Sequence, residues 1–365
     1  MTGQGAAAAS LTLGAVVEGE RNSFNAVRLL AAAAVLVSHS FALTRPLHEP
    51  EPLLGITPYT LGQHAVNIFF VLSGLMLSRS YALDPHLGRF AAARVLRVFP
   101  GLIACGVVVA AVIGALSTPL PLASYYTDPA TLAYPLRVAV EFNRAPLPRV
   151  FDQGIDAGSP NLSLWTIKYE LIAYAGFIVG ATVGAVQRNA VSLLVLALCI
   201  AGVIGLQLSP GLVERWPALV PQGRFFMSFM LGVVAYQHRR RIPLRWSWLA
   251  AMLIVVMATH ETTLEQPTYI TFIGYLALLL GGVTMPSLSR LTRRTDLSYG
   301  LYLYAWPVQQ MLLHRWPGLD TGLHILSSLG IALPLAALSW LVVERPALGL
   351  KRTMRKSVGD KHVNA

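Results

Sequence analysis

Arg28 and His39 stand 11 positions apart in the first long apolar run of the chain, VRLLAAAAVLVSHSFAL. On an α-helix that separation is about 1,100° of rotation, so the two side chains share a face to within roughly 20° and lie about 16 Å apart along the axis. A guanidinium near one end of a membrane helix and a titratable imidazole most of the way across are both costly, and such intramembrane groups mark functional sites by default. A neutral imidazole can take the proton of a hydroxyl or accept an acyl group itself. The plainer reading has Arg28 snorkelling at a helix end and His39 making one structural hydrogen bond.

The elements that must carry these groups are membrane helices. Hydrophobic residues make up 55% of the 365 and charged residues 12%, about half the charge of a soluble domain. Ten apolar runs are long enough to be read as spans, at roughly 24–43, 60–82, 95–117, 162–186, 190–208, 224–238, 246–260, 268–286, 297–314 and 322–343. The last two contain Pro307 and Pro334, which neighbouring helices accommodate inside a bundle. Arginines at 79–97, 239–245 and 290–294 and the basic tail fall on one side of this arrangement, while Glu49, Glu51, Asp128, Glu141, Asp152, Asp156, Glu261 and Glu265 fall on the other. The positive-inside rule then puts both termini in the cytoplasm. The expected fold is all-α and polytopic, with about ten transmembrane helices in the inner membrane. The net charge of +11 reports topology and anionic headgroups rather than nucleic acid. No cleavable signal peptide is visible. Cys105 and Cys199 read as small buried hydrophobes, without a disulfide.

Three stretches organise the chain: a loose N-terminus at 1–20, a membrane domain at 21–347 and a basic cytoplasmic tail at 348–365. The one long connection, 118–160, faces outward and shows little helical pattern. It carries Tyr125, Tyr126, Asp152 and Asp156. Aromatic faces beside carboxylates are what a sugar surface requires, although a lid packed over the bundle fits the loop equally well.

Several strings then read together. Arg28 and His39 are followed by NIFFVLSG at 67–74, RVLRVFP at 94–100 with Arg94 and Arg97 one turn apart, NLSLWTIKYELIAY at 161–174, LSYGLYLYAWPVQQ at 297–310 and VVERP at 342–346. In this order, from about residue 21 to 347, the series resembles the acyltransferase-3 family of integral membrane O-acyltransferases. The resemblance implies transfer of an acyl group, usually acetyl from cytoplasmic acetyl-CoA, to a hydroxyl of an extracytoplasmic glycan such as a lipopolysaccharide or exopolysaccharide. It makes His39 the candidate catalytic histidine, with Arg28 its partner in the motif. Arg94 and Arg97 become the pair that handles the acyl donor, Ser73 and Gly74 the small positions of the second span, and Trp165 and Glu170 the matching positions of the LWTxxYE string. Relatives often carry His where Ala305 stands and Asp where Asn67 stands, so the role of that histidine is lost here or passes to a neighbour such as Tyr304.

The residues themselves fit that chemistry. Arg28, Arg94 and Arg97 lie near the cytoplasmic surface, where guanidinium groups fork onto the phosphates of coenzyme A. Acyl-CoA enters as co-substrate, and no tightly bound cofactor is expected. Gly74 beside Ser73 offers close approach to the acyl arm or tight helix packing. Glu170 orients His39, binds an acceptor hydroxyl or satisfies a buried donor; Lys168, about 200° around the helix, is not its obvious partner. Trp165 and Tyr169 contact the acceptor or anchor the interface. His48, His64, His260 and His314 lack metal-ligand spacing, and no metal is expected. A secondary transporter or glycan exporter without chemistry is the alternative, but no paired broken segments mark inverted repeats.

Overall fold

The computed structural model describes residues 11–19, 22–45, 51–152, 158–283, 292 and 295–350. The described chain is helical, with one isolated β-bridge between Thr12 and Pro243. Its principal helices are α1 (Leu13–Glu18), α2 (Phe24–Thr44), α3 (Leu61–Leu83), α4 (Leu87–Val108), α5 (Leu122–Thr127), α6 (Pro129–Glu141), α7 (Ile167–Thr182), α8 (Asn189–Gln207), α9 (Leu219–Gln237), α10 (Trp246–Ala258), α11 (Glu265–Gly282), α12 (Leu297–Arg315) and α13 (Thr321–Ser339). Two of them run on through π-helical turns, α4 through Val109–Gly114 and α13 through Trp340–Glu344.

Each of the ten expected runs is a helix, and seven are long and apolar enough to cross a membrane. The other three are α10, which has only 13 residues, and α11 and α12. The reason α12 falls short is informative: every residue from Ser298 to Gln309 is buried. A helix enclosed by protein on all sides has no lipid-facing stripe to keep apolar. Pro307 and Pro334 sit inside unbroken helices.

Helix starts follow from local chemistry. Thr60 and Gln63 form a reciprocal capping box at α3, with Gln63 N donating to Thr60 Oγ1 at 3.1 Å and Thr60 N to Gln63 Oε1 at 3.0 Å. Glu51 Oε1 accepts from the next amide, Leu61 N, at 2.7 Å, while its other oxygen takes Ser38 Oγ. Asp128, Asp296 and Asp320 cap α6, α12 and α13 with their side chains.

Two segments differ from the sequence reading. Residues 11–19, expected to be loose, form α1, whose Leu13, Val16 and Val17 are buried at helical spacing. The 118–160 connection also contains helices, at Leu122–Thr127 and Pro129–Glu141. Asp128 and Pro129 start α6, which buries Thr131, Tyr134 and Val138 on one face. Leu132, Leu136 and Val140 on its other face are exposed, and Pro135 sits inside the helix. Gly106 lets α6 approach α4, since a Cβ there would stand 2.8 Å from Pro135 Cα.

The described residues fall into two compact units. One comprises 11–28, 66–82 and 184–292, with a core of Leu13, Val17, Phe24, Val71, Leu75, Tyr236 and Leu278 among others. The other comprises 29–65, 83–183 and 295–350 and has the buried α12 at its centre.

Candidate functional site

Four side chains of α12 organise the chemistry of the second unit. Tyr299, Tyr302, Trp306 and Gln309 follow at intervals of three, four and three residues, which keeps them on one helix face. All four are buried. Between them they meet three of the strings singled out in the sequence: Tyr299 meets RVLRVFP, Tyr302 meets NLSLWTIKYELIAY, and Trp306 and Gln309 meet the first span.

Trp306 meets His39. The two rings lie edge to face, centroids 4.9 Å apart and planes at 89°. One turn along α12, Gln309 Nε2 donates to the Leu36 carbonyl at 2.8 Å and to Ser40 Oγ at 2.7 Å. Ser40 Oγ donates in turn to the Leu36 carbonyl at 3.1 Å. The α2 turn that bears His39 is therefore tied to α12 by a buried amide. Behind it, His324 Nε2 lies 3.1 Å from the Gln309 carbonyl oxygen. A carbonyl only accepts, so that nitrogen carries the proton. His39 Nδ1 and Trp306 Nε1 are both buried, and neither has a hydrogen-bond partner among the described residues.

Tyr299 meets Arg97, seven residues or about 10 Å along α12 from Trp306. Arg97 Nη2 donates to Asp296 Oδ2 at 2.6 Å, and Nη1 lies 3.7 Å from Glu344 Oε2. The guanidinium carbon sits 5.3 Å from the Tyr299 ring centroid, and the Tyr299 hydroxyl donates to the Val98 carbonyl at 2.8 Å. Asp296 also caps α12 through its other oxygen, accepting from Ser298 N at 3.3 Å. Glu344, at the end of the π-helical turn, accepts from Ser339 Oγ at 3.0 Å. Such turns recur at functional sites because the extra residue re-aims a side chain. The three charged side chains are 13%, 12% and 2% exposed. Gly101 leaves the space, since a Cβ there would meet the Tyr299 ring at 2.9 Å.

Glu170 pairs with a tyrosine of its own helix. It accepts from the Tyr174 hydroxyl one turn further along α7. Glu170 and His39 are not brought into contact, so the reading in which the carboxylate orients the imidazole has no geometry behind it. Tyr302, between the two clusters, donates to the Ser163 carbonyl at 2.7 Å and shares a 2.6 Å hydrogen bond with Thr166 Oγ1. That pins the 3-10 turn Leu162–Thr166, which opens the fourth span.

The remaining candidates are dispersed. Arg94 lies with its guanidinium carbon 5.4 Å from the Phe90 ring centroid, on the same helix as Arg97 but engaged differently. Arg28 and His39 share the unbroken α2; Arg28 falls in the first unit and His39 in the second. Gly74 is a packing residue: a Cβ on it would stand 2.0 Å from the Phe229 carbonyl oxygen, and one on Gly232 2.0 Å from that of Val71. The two glycines let α3 and α9 touch backbone to backbone. Ser73, beside Gly74, is half-buried, and so is Arg28. Trp165 and Tyr169 stack edge to face at 5.7 Å, and Lys168 Nζ lies 5.0 Å from the Tyr169 ring centroid.

In the 118–160 segment, Tyr125 is fully buried and donates to the Ala110 carbonyl at 2.8 Å, while the exposed Tyr126 donates to that of Ala111. Asp152 pairs with Arg149 at 3.0 Å. Asp156 and His48 lie outside the described residues. His64 bonds Thr57, His260 bonds Glu265 and His314 meets Phe151 edge to face, three separate contacts. Ala305 and Tyr304 are both buried in α12.

Sequence reasoning left Trp306, Gln309, Tyr299, Asp296, Glu344, Tyr174 and His324 without roles. Most of them lie in strings it had already quoted. Reading LSYGLYLYAWPVQQ at helical spacing yields the 299, 302, 306 and 309 face directly, and Asp296 is a capping residue two positions before Ser298. His324, inside an apolar run, was the intramembrane imidazole left unread.

Over residues 21–343 the sequence matches the family described as an acyltransferase domain. Nodulation protein 10 of Rhizobium leguminosarum bv. viciae is 30% identical to it over 359 residues, which cover 92% of this chain and 95% of that protein. The O-acetyl transferase of Shigella phage Sf6 is 27% identical over 340 residues, covering 89% and 95%. No solved structure matches.

Proposed function

The chain belongs to this acyltransferase family, and from that membership we propose that it moves an acetyl group from cytoplasmic acetyl-CoA to a hydroxyl of an extracytoplasmic or exported glycan. The similarity to a protein named O-acetyl transferase supports both the acetyl group and the oxygen acceptor. The observation that carries the reading is the His39 ring, held against Trp306 on a clamped helix turn with Nδ1 left unpartnered. An imidazole placed in that way is available for proton transfer.

In the reaction we propose, the His39 imidazole takes the proton of the acceptor hydroxyl as its oxygen attacks the thioester carbonyl. A relay in which the imidazole itself carries the acyl group uses the same placement. The arginines set the orientation: the basic loops face the cytoplasm of an inner-membrane, multi-pass protein, with both termini inside. Arg94 engages a phosphate of coenzyme A. Arg97, already held by Asp296 and Glu344, instead fixes the end of α12 that aims Trp306. Trp165 and Tyr169, with Tyr126 and Asp152 of the outer connection, line the acceptor's approach.

Membranes containing the protein, given radiolabelled acetyl-CoA and a hydroxyl-bearing glycan, test the reading. We expect label in the glycan that depends on both substrates. Solute uptake without any dependence on acetyl-CoA would replace this reading with a transporter.

A further inference from the structure

We infer that Trp306 is a catalytic residue, its indole N–H donating to the acyl carbonyl oxygen as negative charge builds there. The inference rests on the acyl-transfer reading above. Trp306 is 3% exposed, and its Nε1 is buried without a hydrogen-bond partner among the described residues. Indole nitrogen is a donor only, and a buried donor without an acceptor is costly enough that folded proteins seldom keep one for packing alone.

The ring carrying this N–H lies edge to face against His39, the imidazole that takes the acceptor's proton in the reading above, with ring centroids 4.9 Å apart. The other donors near that turn are committed: the Gln309 amide gives its hydrogens to Leu36 and Ser40, and the Ser40 hydroxyl gives its own to Leu36. Those same bonds hold α12 to α2 one turn from the indole, so the donor is fixed before substrate arrives. Donors fixed in advance around a developing oxyanion in a buried site are among the strongest catalytic devices.

The step balances as follows. The acceptor oxygen bonds to the carbonyl carbon of the acyl thioester, its proton passes to the His39 imidazole, and the carbonyl π pair moves onto oxygen, which the Trp306 N–H stabilises. Re-formation of the carbonyl breaks the carbon–sulfur bond. The departing thiolate takes the proton from the imidazolium, leaving an ester, a free thiol and a neutral His39.

The test replaces Trp306 with β-(3-benzothienyl)alanine, which keeps the bicyclic shape and removes only the N–H, beside Trp306→Phe. Both proteins are assayed full-length in membranes with acetyl-CoA and glycan. We expect kcat to fall by about 10²-fold in both with little change in the KM for acetyl-CoA. A kcat for the benzothienyl protein within about threefold of the native enzyme overturns the inference while the acyl-transfer reading stands. Failure of the benzothienyl protein to accumulate also overturns it, because an N–H needed for folding has a protein acceptor. Absence of acetyl transfer by the native protein defeats the underlying reading instead.

Discussion

Trp306 and His39 meet edge to face with ring centroids 4.9 Å apart, and the contact is set by a helix that touches no lipid along the turns concerned. Because α12 is buried from Ser298 to Gln309, its polar and aromatic side chains are fixed by protein partners. A side chain fixed in this way keeps its angle to the imidazole, which catalysis by positioning requires.

Gln309 is the clearest test of that positioning. Gln309→Leu keeps volume but removes both donors to α2, and we expect kcat to fall by about 10-fold or more while the KM for acetyl-CoA holds. Steady-state kinetics in membranes check this. Equal falls in donor affinity and turnover would mean general loosening instead.

Arg94 and Arg97 should separate, although sequence spacing treats them as a pair. Removing Arg97 takes a cation from beside two buried carboxylates, Asp296 and Glu344, and breaking a buried ion pair by removing one partner costs about 3–5 kcal/mol. Arg97→Ala should therefore lower the melting temperature of the solubilised protein and its accumulation. Arg94→Ala should fold normally and raise the KM for acetyl-CoA. A stable Arg97→Ala protein with only a donor defect would return Arg97 to the phosphate site.

Glu170 and Tyr174 share one hydrogen bond, so their losses should not add. Glu170→Gln and Tyr174→Phe are each expected to reduce acetylation. The double variant should be no worse than the poorer single one to within about 0.5 kcal/mol of activation free energy. Independent, additive effects would place the two residues in separate roles.

Much of this was legible in the sequence, for physical reasons. Apolar runs of span length define helices whatever their packing, and all ten expected runs are helical. Arg28, His39, Arg94, Arg97 and Glu170 stood out because charge inside an apolar run is costly. What sequence could not give was partnership. Nothing in RVLRVFP reveals that Arg97 reaches 199 residues along the chain to Asp296 while Arg94 lies over its own neighbour Phe90. Tyr125 looked like a sugar-stacking ring, yet its hydroxyl ties α5 to α4 and the ring is enclosed. Gly74 carried two readings, and the Phe229 carbonyl oxygen, 2.0 Å from where a Cβ on Gly74 would stand, supports packing. The helices of the 118–160 connection were hidden because its prolines, Pro135 inside α6 among them, read as breakers, and because α6 turns Leu132, Leu136 and Val140 outward rather than into the bundle.

Orientation is open to a substrate-free check. A single cysteine at Arg240, 79% exposed, should react with an impermeant thiol reagent only after the inner face is opened. One at Thr127, also exposed, should react from outside. The reverse pattern would exchange the donor and acceptor sides of the account.

The most direct test of the central claim is acetyl transfer by His39→Ala. The substitution removes the imidazole from α2 and leaves a better helix former in its place, so the protein should insert and accumulate as the native chain does. In membranes with labelled acetyl-CoA and glycan, we expect its transfer rate to fall by about 10²-fold or more. Transfer at a near-native rate by this variant would contradict the account, because no other group could then be called the centre of the reaction at this site.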